Sequence, residues 1–173
     1  MRLTDLNICF LDIDGVLNGD ESKSEKDFLP EAVQVLNTLD SEYNIKIVLC
    51  SSWREWYTFR YIEELFKKNG IRAELIDTTP HYIGKDKRVS FALSDLDHDK
   101  AVPPDSGRNA EILKYIKIHD IRRFVILDDY YYSNDFLRSH AIHTDMRYGL
   151  TMEYLGKIQE ILNNKEGQEY VSI

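Results

Sequence analysis

Apolar residues in this chain gather into short runs, separated by stretches in which they recur every three or four positions. The runs are Asn7-Ile-Cys-Phe-Leu11, Ile45-Lys-Ile-Val-Leu-Cys50 and Arg123-Phe-Val-Ile-Leu127. Runs this short and this apolar predict strands buried on both faces. Residues 71–77 predict a further strand and residues 141–144 a short one. The intervening stretches predict helices. Pro30 suits a first helical position, and Val33, Leu36 and Leu39 form an apolar stripe over residues 31–41. Ser51-Ser52 predicts a cap for one continuous helix over residues 53–69, with Trp56, Phe59, Ile62, Leu65 and Phe66 on its apolar face. Lys67 and Lys68 suit that helix's C-terminal end and Gly70 its stop. Residues 109–118 carry Ile112, Leu113 and Ile116 on one face, residues 134–138 predict a short helix, and Thr151 is expected to cap a last helix over 152–162. Residues 19–27 read as an exposed loop. Residues 78–107 form a long polar connection containing Pro103-Pro104, of the length that usually serves a function or moves.

Strands alternating with helices predict an α/β fold, a parallel sheet covered by helices on both faces. Length then bounds the rest. At 173 residues the chain predicts one domain, residues 1–163, followed by a polar tail or the start of a linker at 164–173. A hydrophobic share of 43% and a charged share of 30% exclude a disordered chain and a membrane protein. There are 22 basic and 30 acidic residues, a net charge of −8, which argues against broad attraction to nucleic acid or anionic lipid. Cys9 and Cys50 lie inside strand-like runs and are expected to be reduced core thiols. No secretory pattern opens the chain, so the default location is the cytoplasm, although a non-classical export signal would leave no trace here.

In a parallel sheet the ligand site lies beyond the carboxyl ends of the strands. Three polar clusters sit there: Asp12/Asp14 after the first strand, Ser51/Ser52 after the second and Asp128/Asp129 after the fourth. Four carboxylates at one edge repel each other and stay ionised together only beside a cation. Oxygen ligands without His or Cys suit Mg²⁺, which typically takes one or two carboxylates and a substrate phosphate. A carboxylate nucleophile with an adjacent acid can split phosphate-ester hydrolysis into two steps. Phosphate would also need donors: the Ser51 hydroxyl, the N–H groups of the helix after Ser52, Arg54, and a cation that Arg108, Lys85, Lys87 or Lys100 could supply.

These residues stand in a recognisable order. Phe-Leu-Asp12-Ile-Asp14-Gly-Val-Leu-Asn resembles the first motif of the haloacid dehalogenase (HAD) superfamily. Val-Leu-Cys-Ser51-Ser-Trp-Arg resembles its second, and Val-Ile-Leu-Asp128-Asp129 its fourth. The resemblance implies a three-layer Rossmann-like fold and a Mg²⁺-dependent phosphatase. Asp12 would be the nucleophile that becomes an aspartyl-phosphate. Asp14 would protonate the leaving group, then activate water, with its main-chain carbonyl on the metal. Ser51, assisted by Ser52, would hold phosphate oxygen, and Asp128 and Asp129 would complete the metal site. Arg108, in Ser-Gly-Arg-Asn-Ala-Glu-Ile, is assigned to the third motif because a helix follows directly. A narrower set adds Thr79-Pro80, Gly-Arg-x-x-Glu-Ile and Tyr148-Gly-Leu-Thr151, and is similar to small HAD domains that accompany RNA-repair enzymes, stand alone or occur in bacterial effectors.

HAD enzymes select substrates with cap domains, and neither the stretch between Asp14 and Ser51 nor that between Ser51 and Arg108 has room for a large one. An open site suits a phosphorylated macromolecule. The acidic charge favours a phosphoprotein, including phosphotyrosine, over a nucleic-acid end. Trp53, Trp56, Tyr57, Tyr130, Tyr131 and Tyr132 are candidates for stacking on a phosphotyrosyl ring or a base, or for packing the domain itself. A catalytically silent binding module is the reading of a different class.

Overall fold

Parallel pairing around one central strand organises the molecule. The computed structural model describes residues 3–24, 26–80 and 107–164. In chain order the elements are β1 (Asn7–Leu11), α1 (Pro30–Tyr43), β2 (Ile45–Leu49), α2 (Trp53–Trp56), α3 (Phe59–Lys68), β3 (Glu74–Thr78), α4 (Gly107–His119), β4 (Arg123–Asp128), α5 (Asp135–Ser139), β5 (Ala141–His143) and α6 (Leu155–Asn163). The sheet is ordered β3-β2-β1-β4-β5. The chain winds outward from β1 to β3, then returns to the other side of β1, so the switch of direction falls between β1 and β4, where open α/β sheets bind ligands.

Register sets the height of the site. Leu11 pairs with Leu49 on one side and Leu127 on the other, so Asp12, Cys50 and Asp128 stand side by side at the carboxyl ends of their strands. The pairing continues one residue further: Cys50 N donates to Leu11 O at 2.9 Å and Asp12 N to Leu127 O at 3.0 Å.

Side chains alternate across β1 as a two-residue period requires. Cys9 and Leu11 face α1, α3 and α6, packing with Leu36, Leu39, Ile62, Phe66 and Ile158. Ile8 and Phe10 face α4 and α5, packing with Ile112, Tyr115, Ile116 and Leu137. Both faces are therefore dry, and the architecture is the three-layer α/β sandwich expected, with no cap among the described residues. Both cysteines are buried free thiols. No helix among the described residues is long and apolar enough to cross a membrane.

Three expectations are corrected. The helix over 53–69 is two helices. Tyr57 is extended (φ −125°, ψ 145°), and Thr58 restarts the chain by accepting from Tyr61 N at 3.2 Å through Oγ1. The break leaves Trp56 79% and Phe59 41% exposed, so only Ile62, Leu65 and Phe66 of the expected apolar face are buried. Thr151 makes no side-chain cap bond. A single 3-10 turn, Met152–Tyr154, precedes α6, and Glu31 Oε1 accepts from Met152 N at 2.9 Å instead. The third strand begins at Glu74 rather than residue 71, because Asn37 binds the approach to it: its Nδ2 donates to Gly70 O and its Oδ1 accepts from Arg72 N, both at 2.9 Å.

Candidate active site

Asp12 follows β1 with its carboxylate almost completely buried. Oδ1 accepts from the next residue's amide, Ile13 N, at 2.7 Å. Oδ2 accepts from Arg108 Nη1 at 2.5 Å. The same Nη1 lies 2.7 and 2.8 Å from the two oxygens of Asp128, so Arg108 bridges the ends of β1 and β4. Of the cations considered for the third motif, Arg108 reaches the acids; Lys85, Lys87 and Lys100 lie outside the described residues. Burial works against the Arg108 charge, but Asp128 and Asp12 beside it more than compensate and hold it firmly protonated.

Asp128 is wholly buried and accepts from Tyr130 N at 2.8 Å and from Tyr132 Oη at 2.6 Å. Cys50 Sγ stands 3.7 Å from its Oδ2. Burial pushes the Asp128 carboxyl up to about 6, against the opposing pull of Arg108. Asp129 is raised as well, by burial and by the Asp12 charge. One oxygen from each of Asp12, Asp128 and Asp129 lies within 4.8 Å of the others. Three carboxylates against one guanidinium leave an excess of negative charge, and the Asp12 charge adds to burial in raising Asp128 and Asp129. The donors are all hard oxygens, so the set fits Mg²⁺. Asp12, Asp128 and Asp129 are the side chains that would hold it.

Asp14 is placed differently. Its carboxylate is not one of the three; Oδ1 accepts from Asn18 Nδ2 and Oδ2 from Trp53 Nε1, both at 2.8 Å. The turn carrying it is held from two sides. Gly15 N donates to Asn18 Oδ1 at 3.1 Å, and buried Thr144 donates through Oγ1 to Gly15 O at 2.7 Å. Gly15 itself has φ +69°, and a Cβ there would stand 2.5 Å from Asp129 Oδ2. Gly15→Ala therefore combines left-handed strain with a collision against a candidate metal ligand. We expect a loss of about 1–3 kcal/mol in stability, by thermal unfolding. A fall of at least roughly tenfold in any Mg²⁺-dependent turnover should accompany it, because Asp129 must move.

Ser51 is buried after β2, while Ser52 is exposed. Ser51 Oγ accepts from Trp53 N at 3.3 Å, and Ser52 makes no side-chain cap bond. Because α2 is a single turn, the helix dipole expected to attract phosphate there is small. The N–H groups of Trp53, Arg54 and Glu55 are already bonded to Ser51 and Ser52. Arg54 is likewise occupied: Nη1 donates to Cys50 O and Ser51 O at 2.6 and 2.5 Å, and Nη2 to Glu111 Oε2 at 2.6 Å. It ties the end of β2 to α4, the helix that carries Arg108, and is not a free phosphate ligand.

The aromatic candidates divide in the same way. Trp53 and Tyr132 are buried with their polar atoms on Asp14 and Asp128, so they pack the site and offer no open face. Trp56 and Tyr131 are exposed. Tyr130 is half-buried with Arg108 over its ring. Sequence reasoning assigned no role to Asn18, Glu111 or Thr144, and took Tyr132 for a stacking or packing ring rather than a hydrogen-bond donor to Asp128. Asn18 could have been found as the partner four residues beyond Asp14, and Glu111 stands within the quoted Gly-Arg-x-x-Glu. Nothing near Tyr132 or Thr144 in the chain signals their contacts.

Residues 8–155 match the family described as the HAD domain in Swiss Army Knife RNA repair proteins. No curated protein and no solved structure matches the chain. The matched span runs from β1 to the start of α6 and contains every residue of the acidic cluster, Arg108 and both members of the Arg54–Glu111 pair. The chain belongs to the HAD domain family of Swiss Army Knife RNA repair proteins.

Proposed function

We propose that this chain is a Mg²⁺-dependent phosphomonoester hydrolase that removes a terminal phosphate from an RNA strand. The observation that carries the hydrolase reading is the convergence of Asp12, Arg108, Asp128 and Asp129 at the switch point, with Asp14 two residues beyond Asp12. Membership of a family described by RNA repair supports the polynucleotide substrate.

In this reading an Asp12 oxygen attacks phosphorus, the bond to the leaving oxygen breaks, and Asp14 gives that oxygen its proton. Water then loses a proton to Asp14 and attacks phosphorus. The bond to Asp12 breaks, inorganic phosphate leaves and both carboxyl groups return to their starting states. Arg108 orients Asp12 and balances the charge of the incoming phosphoryl group, and Ser51 offers a hydroxyl to its oxygens. Magnesium, when bound, neutralises charge on the phosphoryl oxygens.

The second reading is phosphoprotein hydrolysis, favoured by the net charge of −8, which opposes a polyanion. Initial rates with Mg²⁺ on 3′- and 5′-phosphorylated oligoribonucleotides and on a phosphotyrosyl peptide separate the two. The RNA reading expects a kcat/KM at least roughly tenfold higher on one of the oligonucleotides, falling steeply with added salt. A clear preference for the peptide, without salt dependence, would overturn it. No phosphate release from any of the three would favour a silent binding module.

A further inference from the structure

We propose that Trp53 is the positioning residue for Asp14, so that protonation of the leaving group depends on an indole supplied by the second motif. The inference rests on the phosphomonoesterase reading above. Asp14 is exposed on a turn, where a carboxylate ordinarily samples several rotamers. Here both oxygens are claimed. Asn18 Nδ2 holds Oδ1 from within the same turn, and Trp53 Nε1 holds Oδ2 from 39 positions away in the sequence, each at 2.8 Å.

The two donors are themselves fixed. Asn18 is buried, and its Oδ1 accepts from Gly15 N at 3.1 Å. Trp53 is buried at the start of α2 and packs on Tyr57 with ring centroids 4.9 Å apart; Tyr57 stacks on Tyr61 at the same spacing. Lys26 Nζ lies 5.3 and 5.6 Å from the centroids of those two tyrosine rings. This row of rings packs against the indole, whose N–H is directed at Asp14. Trp53 N also donates to Ser51 Oγ at 3.3 Å, so the residue that touches the acid is tied to the residue that would offer a hydroxyl to phosphate. A group that must deliver a proton to a departing oxygen gains most from such fixation, since a small error in aim raises the barrier steeply.

The role has a signature that a purely structural one lacks. Proton delivery matters for a basic leaving group and little for an acidic one. Trp53→Phe keeps the ring packing and removes the N–H. We expect kcat/KM to fall roughly tenfold or more on an alkyl phosphate and by no more than about threefold on p-nitrophenyl phosphate. Asp14→Asn should show the same selective loss, larger in size.

A second measurement is independent of turnover. The chain has two tryptophans, hence two indole N–H resonances. Trp56→Phe removes one and assigns the other to Trp53, and that resonance should shift in Asp14→Asn. An equal loss on both esters in Trp53→Phe, or no loss, would overturn the positioning role. An indole resonance indifferent to Asp14→Asn would overturn the contact itself. If wild-type protein hydrolyses neither ester, the phosphomonoesterase reading fails and this role with it, while the indole shift still reports the contact.

Discussion

Asp12→Asn is expected to slow phosphate release at least about 10⁴-fold, the order seen when a covalent nucleophile is removed from an otherwise intact site. The amide has the shape of the carboxylate but cannot form the acyl phosphate. The surroundings predict that the loss is chemical and not structural. Arg108 retains its contacts to both oxygens of Asp128 when Asp12 is gone. One acid fewer in the cluster also lowers its mutual repulsion, so the thermal midpoint should hold or rise. Inorganic phosphate should still bind, because the Ser51 hydroxyl and Arg108 remain. Phosphate release and thermal unfolding measured on the same preparation check both halves. A variant that loses activity only in proportion to lost folded protein would assign Asp12 to structure.

The largest effect on stability is expected at Arg54. Its guanidinium and the Glu111 carboxylate form a 2.6 Å ion pair with 8% and 6% of their side chains exposed. The same guanidinium satisfies the carbonyls of Cys50 and Ser51. Arg54→Met keeps the length of the stem and removes the charge, leaving the Glu111 carboxylate buried without its arginine. Breaking such a pair from one side costs about 3–5 kcal/mol, whereas replacing both members by apolar residues is often nearly neutral. Arg54→Met should therefore lower the thermal midpoint by roughly 10 °C. Arg54→Met combined with Glu111→Leu should recover most of that. Turnover should fall further than unfolding alone explains, since the pair joins the end of β2 to the helix that delivers Arg108. A double variant no more stable than Arg54→Met would mean that the carbonyl contacts, and not the ion pair, carry the effect.

The strands and the acidic edge were legible because parallel strands buried on both faces appear as unbroken apolar runs, and each run here ends in polar residues of functional type. Asn7–Leu11, Ile45–Leu49 and Arg123–Asp128 are such runs, and their register aligns Asp12 and Asp128 without further information. What was not legible depends on contacts between distant residues. The apolar period continues through Tyr57 and Thr58, so a continuous helix is the natural reading. The break follows from the extended Tyr57 and the Thr58 cap, local choices that periodicity does not register. Arg54 reads from sequence as a phosphate ligand because it stands one residue inside a helix start. Its partner Glu111 is 57 positions away and redirects it. Trp53 and Tyr132 read as stacking surfaces, yet each places its polar atom on an acid of the site. The general lesson is that a polar atom on a large aromatic side chain, buried beside a carboxylate, is visible only after the fold is known.

The proposed chemistry stands or falls on covalent phosphorylation of Asp12 during turnover. Rapid acid quench of the enzyme with a radiolabelled phosphomonoester and Mg²⁺, followed by peptide mapping, tests it directly. Label is expected on the peptide containing Asp12, released by hydroxylamine and absent in Asp12→Asn. Turnover at full rate with no label on that peptide, or with label elsewhere in the chain, would rule out Asp12 as the nucleophile.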